Sequence, residues 1–269
     1  MNIHDSQLLM PGQMIDVQGS ADLRQIAIER VGVKGVRAPM RWRLGDGTEQ
    51  PSVGLFAMDV ALPADRKGTH MSRFMALIGE QAAALDMSQL IALHREMVTL
   101  LDARRGRIEI AFPLFLRKAA PVSGIESLMD YQVTVVVDGT IDHAVADLTV
   151  LVPVTSLCPC SKTISDYGAH NQRSHVTVTV RSSEPLSLEA LIATIEAQGS
   201  CELWGLLKRV DEKYVTERAY DNPKFVEDLV RDVAARLNED KRIQRYVVEV
   251  ENFESIHNHS AWARIESDA

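Results

Sequence analysis

Apolar and polar positions interleave at short spacing from residue 24 to 43 (RQIAIERVGVKGVRAPMRWR) and again from 52 to 62 (SVGLFAMDVAL). Both stretches predict strands, parted by the Gly/Asp/Pro-rich turn LGDGTEQP. The period then lengthens. Phe74, Leu77, Ile78, Ala82 and Leu85 recur at helical spacing. A second helix, capped by Asp86 or Ser88, turns Leu90, Ile91, Met97, Leu100 and Leu101 inward and ends near Gly106. Strands are predicted over 107–119 and 129–139.

The second half repeats the order. IDHAVADLTVLVPV predicts a strand over 141–154, and SHVTVTVRS puts Val176, Val178 and Val180 on one face of the next. Helices are expected over 187–198 and 222–240, with Asn222 as cap and Pro223 in the first turn, Val226, Val230, Val233 and Leu237 forming the inner stripe of the second. Strands over 246–255 and 260–267 close the pattern. Hairpin, helix pair, hairpin, used twice, predicts a pseudo-symmetric α+β protein with antiparallel sheet and its helices on one face. The expected division is an N-terminal arm (1–20), a first module (21–140) and a second module (141–269).

Composition narrows the function classes. Of the 269 residues 46% are hydrophobic and 25% charged, which is ordinary globular usage. The net charge of −8, with no basic stripe, argues against nucleic acid as a partner. No charged-then-apolar leader opens the sequence, and no apolar run approaches the roughly 20 residues that span a bilayer, so a cytoplasmic protein without membrane contact is expected. Three cysteines in that setting point to metal binding, catalysis or burial rather than to a disulfide framework.

Two of the three stand in SLCPCSKTIS. In an extended segment Cys158 and Cys160 would share a face across the stiffening Pro159. A thiolate binds metal and attacks electrophiles, and a cation such as Lys162 nearby favours that form. His170 lies within reach of a returning loop. Two small buried thiols at a strand end are the plain alternative. A second concentration is ESIHNHSAW, where His257 and His259 alternate beside Glu254, suited to metal binding or proton transfer. A third is Glu227, beside the apolar stripe of its helix. It is either functional or an exposed ion pair with Arg231. Glu212, in the preceding irregular stretch, reads alone as a solvated charge. Finally DRKGTHMSRF gathers Arg66, Lys67, Thr69, His70, Ser72 and Arg73 before a helix, which suits a phosphate or a plain charged helix entry.

SLCPCSKTIS, GTHMSRF, NPKFVED and ESIHNH, in that order, resemble the prokaryotic GTP cyclohydrolase I family of type IB, and the resemblance runs from about residue 20 to 266. It implies the tunnelling fold (T-fold), with two tandem modules of antiparallel sheet plus two helices, and a homotetramer with active sites between subunits. The implied reaction converts GTP and water to 7,8-dihydroneopterin triphosphate and formate, at the entry to folate and related pterins, with a divalent metal (Mn, Fe or Zn). The resemblance places Cys158, His170, Glu212 and His257 around the metal. It gives Cys160 and His259, with Cys158 and His170, to catalysis and proton transfer, and Glu227 to anchoring guanine. Lys162, Arg73 and His70 are then the expected counter-charges for the triphosphate. Two alternatives stay open: another tunnelling-fold purine or pterin enzyme, and a non-catalytic zinc-stabilised oligomer.

Overall fold

The computed structural model describes residues 18–79 and 84–268. Most of the expected N-terminal arm, and Ala82 of the first helical stripe, lie outside the described residues. Eight antiparallel strands form one sheet in chain order: β1 (Ile28–Arg43), β2 (Glu49–Leu62), β3 (Arg105–Ala119), β4 (Glu126–Thr140), β5 (Ala144–Leu157), β6 (Asn171–Ser182), β7 (Ile243–Asn252) and β8 (Ala261–Asp268). Helices α1 (Met71–Gly79) and α2 (Met87–Leu100) follow β2. The single turn α3 (Pro159–Ile164) follows β5, and α4 (Leu188–Glu196), α5 (Arg209–Asp221) and α6 (Val226–Glu239) are in the second half.

Strand alternation decides which face is covered. Phe56, Met58, Ile108, Ile110, Val133, Val135, Val150, Val152, Val176, Val178, Val248 and Val250 are fully buried, while their neighbours in sequence are partly exposed. They join Phe74, Leu90, Met97, Ile195, Leu229 and Val233 of the helices in one continuous core. The expected boundary at 140/141 falls in the β4–β5 hairpin, whose strands pair from Gln132↔Leu151 to Gly139↔Ala144, so the sheet runs unbroken through it. The halves are also tied at the helix layer. Asp211 of α5 accepts the Val122 and Ser123 amides of the β3–β4 turn at 2.9 and 2.8 Å.

Several local expectations are corrected. Asp86 is the cap of α2, accepting the Gln89 amide at 2.9 Å. Leu100 is 41% exposed while Leu101 is buried, and Ile91 is half-buried. Leu85 lies beyond α1, in a bridge with Trp42. Gly106 is not a helix end: it lies at the start of β3, where a Cβ would come within 2.6 Å of the Met97 methyl and 2.9 Å of a Val98 methyl, so any larger residue would have to displace α2 side chains. Asn222 does not cap α6 but ends α5, and Phe225 occupies the cap of α6 with Asp228 reaching back to its amide at 3.0 Å. The stretch holding Glu212 is helical, not irregular. α5 packs Ala219 against the sheet and exposes most of the rest, so its apolar stripe is too thin to show as a period.

The topology sorts the loops by end. Leu62, Arg105, Thr140, Ala144 and Ser182 lie at one end of the sheet, with the 63–73 segment. Leu157, Asn171, Asn252 and Ala261 lie at the other.

Candidate active site

The cysteine loop forms at the second of these ends. Proline at the first helical position fixes φ and needs no donated hydrogen bond, so α3 starts at Pro159. Cys158 is therefore the N-cap, its own backbone still extended (φ −70°, ψ 117°) while the chain turns helical after it. Its thiol accepts the Ser161 amide at 3.5 Å. Cys160 sits inside the turn and is exposed, so the two thiols do not share a strand face as the sequence suggested. The loop returns to β6 through Cys158 N–H to His170 O (3.1 Å) and His170 N–H to Ser161 Oγ (3.2 Å), which sets His170 against the thiol's own backbone. The third cysteine, Cys201, is buried behind this loop with Leu157 and Ala219; burial, with the Glu202 carboxylate beside it, pushes its thiol up to about 11.

Lys162 projects from α3 to the end of α5, donates to the Tyr220 carbonyl and lies 4.2 Å from the centre of the Tyr220 ring. The Lys224 amide donates to Leu157 O at 3.0 Å and brings the start of α6 to the same end. Glu227, in the first turn of α6, is exposed and makes no ion pair with Arg231 among the described residues. His257 and His259 lie in the β7–β8 loop with rings stacked 5.1 Å apart, and Ser255 of that loop reaches 3.5 Å from His170 Nδ1. Glu212 stands on α5 eight residues before Tyr220, about 12 Å back along the axis.

Among the described residues no three His, Cys, Asp or Glu side chains are grouped to hold a metal ion. Cys158 and His170 come together; Glu212 and His257 do not join them within the chain. The donor chemistry fits a borderline divalent ion, thiolate with imidazole. Arg73 and His70 are at the far end of the sheet, where Arg73 donates to the Leu100 carbonyl of α2 at 2.9 Å. Concavity alone does not select this region, since clefts of about 430 and 440 Å³ open around Trp42–Gly45 and around Arg30, Asp59 and Arg107.

Beneath the loop is a group of residues that the motif reading missed. His170 Nδ1 is 3.0 Å from Gln172 Oε1, Gln172 Nε2 donates to Ser156 Oγ (2.8 Å), Ser156 Oγ meets Ser174 Oγ (2.8 Å), and Ser174 donates to Asn252 Oδ1 (2.7 Å). The signal was present. Ser156 shares strand parity with Val150 and Val152, Gln172 and Ser174 with Val176 and Val178, and Asn252 with Val248 and Val250. Each core stripe turns polar at one end of the sheet.

An unbroken antiparallel sheet carrying its helices on one face is the architecture of the tunnelling fold. Uricase from Arthrobacter globiformis has the same architecture, with a TM-score of 0.51 at 10% identity over 90% of this chain and 93% of that one. Residues 14–263 match the family described as type I GTP cyclohydrolase folE2. The chain is 59% identical over 268 residues to the GTP cyclohydrolase FolE2 of Paraburkholderia phymatum, 58% to that of Burkholderia vietnamiensis and 59% to that of Cupriavidus necator, in each case covering all of this chain and 98% of the relative. The chain belongs to the FolE2 family of GTP cyclohydrolases and is an enzyme of the GTP cyclohydrolase I type.

Proposed function

We propose that the enzyme converts GTP and water to 7,8-dihydroneopterin triphosphate and formate, that it depends on a divalent metal (Mn, Fe or Zn), and that it works in the cytoplasm as a homotetramer with sites between subunits. The observation that carries the reading is the backbone-locked pair of Cys158 and His170 at the sheet end where Lys162, Glu227 and the His257–His259 pair also converge. Family membership supplies the substrate. No helix among the described residues is long and apolar enough to cross a membrane.

Cys158 and His170 would hold the metal, with Glu212 and His257 as the further ligands. A divalent ion supplies Lewis acidity, lowering the pKa of water toward neutrality. The chain's own groups then have separate tasks. The Glu227 carboxylate accepts the two adjacent N–H bonds of the guanine edge, a pattern adenine does not offer. Hydration at C8, opening of the imidazole ring and loss of formate each move protons, which the exposed Cys160 of α3 and His259 of the β7–β8 loop would carry. Lys162, and Arg73 and His70 from a second subunit, would balance the triphosphate.

The test is direct: metal-depleted protein is supplied with GTP and Mn²⁺, and formate and pterin fluorescence are followed together. Formate and pterin in equal amounts support the reading; GTP consumed without formate refutes it.

A further inference from the structure

The geometry points to Gln172 as a positioning residue that fixes the ring tautomer of His170, through a one-way chain of hydrogen bonds running from β7 across β6 and β5. Asn252 Oδ1 takes the single proton of Ser174. Ser174 has no second proton, so in its contact with Ser156 it is the acceptor and Ser156 the donor. Ser156 has then spent its proton and can only accept from Gln172, which it does through Nε2 at 2.8 Å. With its amide nitrogen so directed, Gln172 turns Oε1 to His170 Nδ1 at 3.0 Å. An amide oxygen cannot donate, so His170 must carry its proton on Nδ1. The second oxygen near Nδ1, Ser255 Oγ at 3.5 Å, is able to accept as well. In the neutral ring Nε2 then keeps its lone pair, available to bind a cation.

Burial gives the chain its authority. Ser156 and Ser174 are fully buried, Asn252 is 2% and Gln172 8% exposed, so none of these groups can exchange its partner for water cheaply. They also replace apolar residues on three adjacent strands at the core face, a costly substitution for a protein to carry if the only return were stability. Metal-binding histidines in general hold their orientation by donating from the other ring nitrogen to an oxygen. The inference that this tautomer serves metal binding rests on the proposed role of His170; the tautomer itself does not.

The experiment labels the histidine rings with ¹⁵N in the metal-free full chain, assigns His170 by its loss in His170→Gln, and reads the two nitrogens by long-range ¹H–¹⁵N correlation. The wild-type protein is expected to show a protonated Nδ1 and a bare Nε2. Gln172→Leu should give a mixed tautomer, whereas Gln172→Glu, which keeps the acceptor, should hold the wild-type pattern. Calorimetric Mn²⁺ titration without GTP should show affinity falling by about 10- to 100-fold in Gln172→Leu and returning most of the way in Gln172→Glu. A purely structural Gln172 would give no such rescue, because a buried carboxylate is the greater insult to packing, and absence of rescue in folded protein overturns the inference. A bare Nδ1 in the wild type overturns it without any variant, since the whole chain would then run in reverse with Asn252 donating. If the wild type shows the expected tautomer and binds no Mn²⁺, the tautomer stands and the metal reading falls.

Discussion

Replacing Glu227 by Gln separates substrate recognition from helix chemistry at one atom's cost. Glu227 and Asp228 are adjacent carboxylates in the first turn of α6, but only Asp228 has structural work, accepting the Phe225 amide at 3.0 Å. Glu227 is exposed, so its contribution to the fold is that of a negative charge at a helix N-terminus, about 0.3–1 kcal/mol. Facing guanine, the same carboxylate would accept two N–H bonds, and an amide sets a donor against one of them. Loss of one charge-assisted bond is about 1.5–3 kcal/mol, which at about 1.4 kcal/mol per decade lowers kcat/KM for GTP about 10- to 150-fold. Asp228→Ala provides the control: it removes a structural bond, costs about 1 kcal/mol of stability and leaves kcat/KM near wild type. The assay is steady-state pterin formation at equal metal loading, with thermal unfolding in parallel. Equal kcat/KM for Glu227→Gln and wild type refutes guanine anchoring by Glu227.

Cys158→Ala should lose both bound metal and turnover while remaining folded, with a melting temperature lowered only by the lost cap of α3 and the lost metal, and wild-type activity in metal-depleted variant would sink the assignment. Arg73→Ala should raise KM for GTP more than it lowers kcat, because contacts to the triphosphate change little during chemistry at C8; a change confined to kcat contradicts the phosphate role. Asp211 predicts an acid-sensitive fold: burial alone would raise its pKa, but hydrogen bonds from Ser123, Lys208 and Val122 hold it well below the ordinary carboxylate value. A pKa lowered in the folded state means stability present in full above about pH 4 and lost as pH falls through the folded value, so Asp211→Asn should lower the melting temperature at neutral pH and flatten its decline in acid. An unchanged acid limb contradicts it. Mixed oligomers of Cys158→Ala and Arg73→Glu chains should recover activity neither parent has, with about one quarter of sites drawing both intact residues if each site spans two chains; no recovery in verified mixtures places both residues' roles within one chain or removes one of them.

The sheet was legible because its alternation is regular: the strands fall within a few residues of where period two predicts them, and Val176, Val178 and Val180 face the core as expected. α5 was not, because it has little apolar surface to repeat, and its absence from the reading displaced the start of α6 to Asn222. The cysteine loop shows the same limit at a smaller scale. A proline between two cysteines reads equally well as a stiff strand or as a helix start, and the choice is made by the Ser161 amide turning to the Cys158 thiol and by the β6 strand returning behind it. The candidate site residues stood out as motifs. Their grouping was not, since nothing in local sequence says that Lys162 meets Tyr220 or that His170 rests on Gln172. The polar ends of the three valine stripes were the missed clue, because they mark where the core gives way to the candidate site.

The same topology argues for more than one chain per site. The 66–73 cluster follows β2 at one end of the sheet and the cysteine loop follows β5 at the other, and the 14 residues of β5 alone extend about 45 Å. One nucleotide cannot bridge that span, so a triphosphate bound by Arg73 and a guanine ring opened beside Cys158 belong to the same molecule only when the ends of two chains meet. Incomplete donor grouping points the same way. Cys158 and His170 are fixed by backbone hydrogen bonds, while Glu212 stands back along α5 and His257 lies on an exposed loop. Under the proposed homotetramer, the part of the site that a single chain builds would be the rigid part, and Glu212 and His257 would be completed by association. A closed homo-oligomer in which opposite ends of neighbouring sheets meet would bring the proposed counter-charges to one nucleotide without asking the net-negative chain to concentrate its cations at one end.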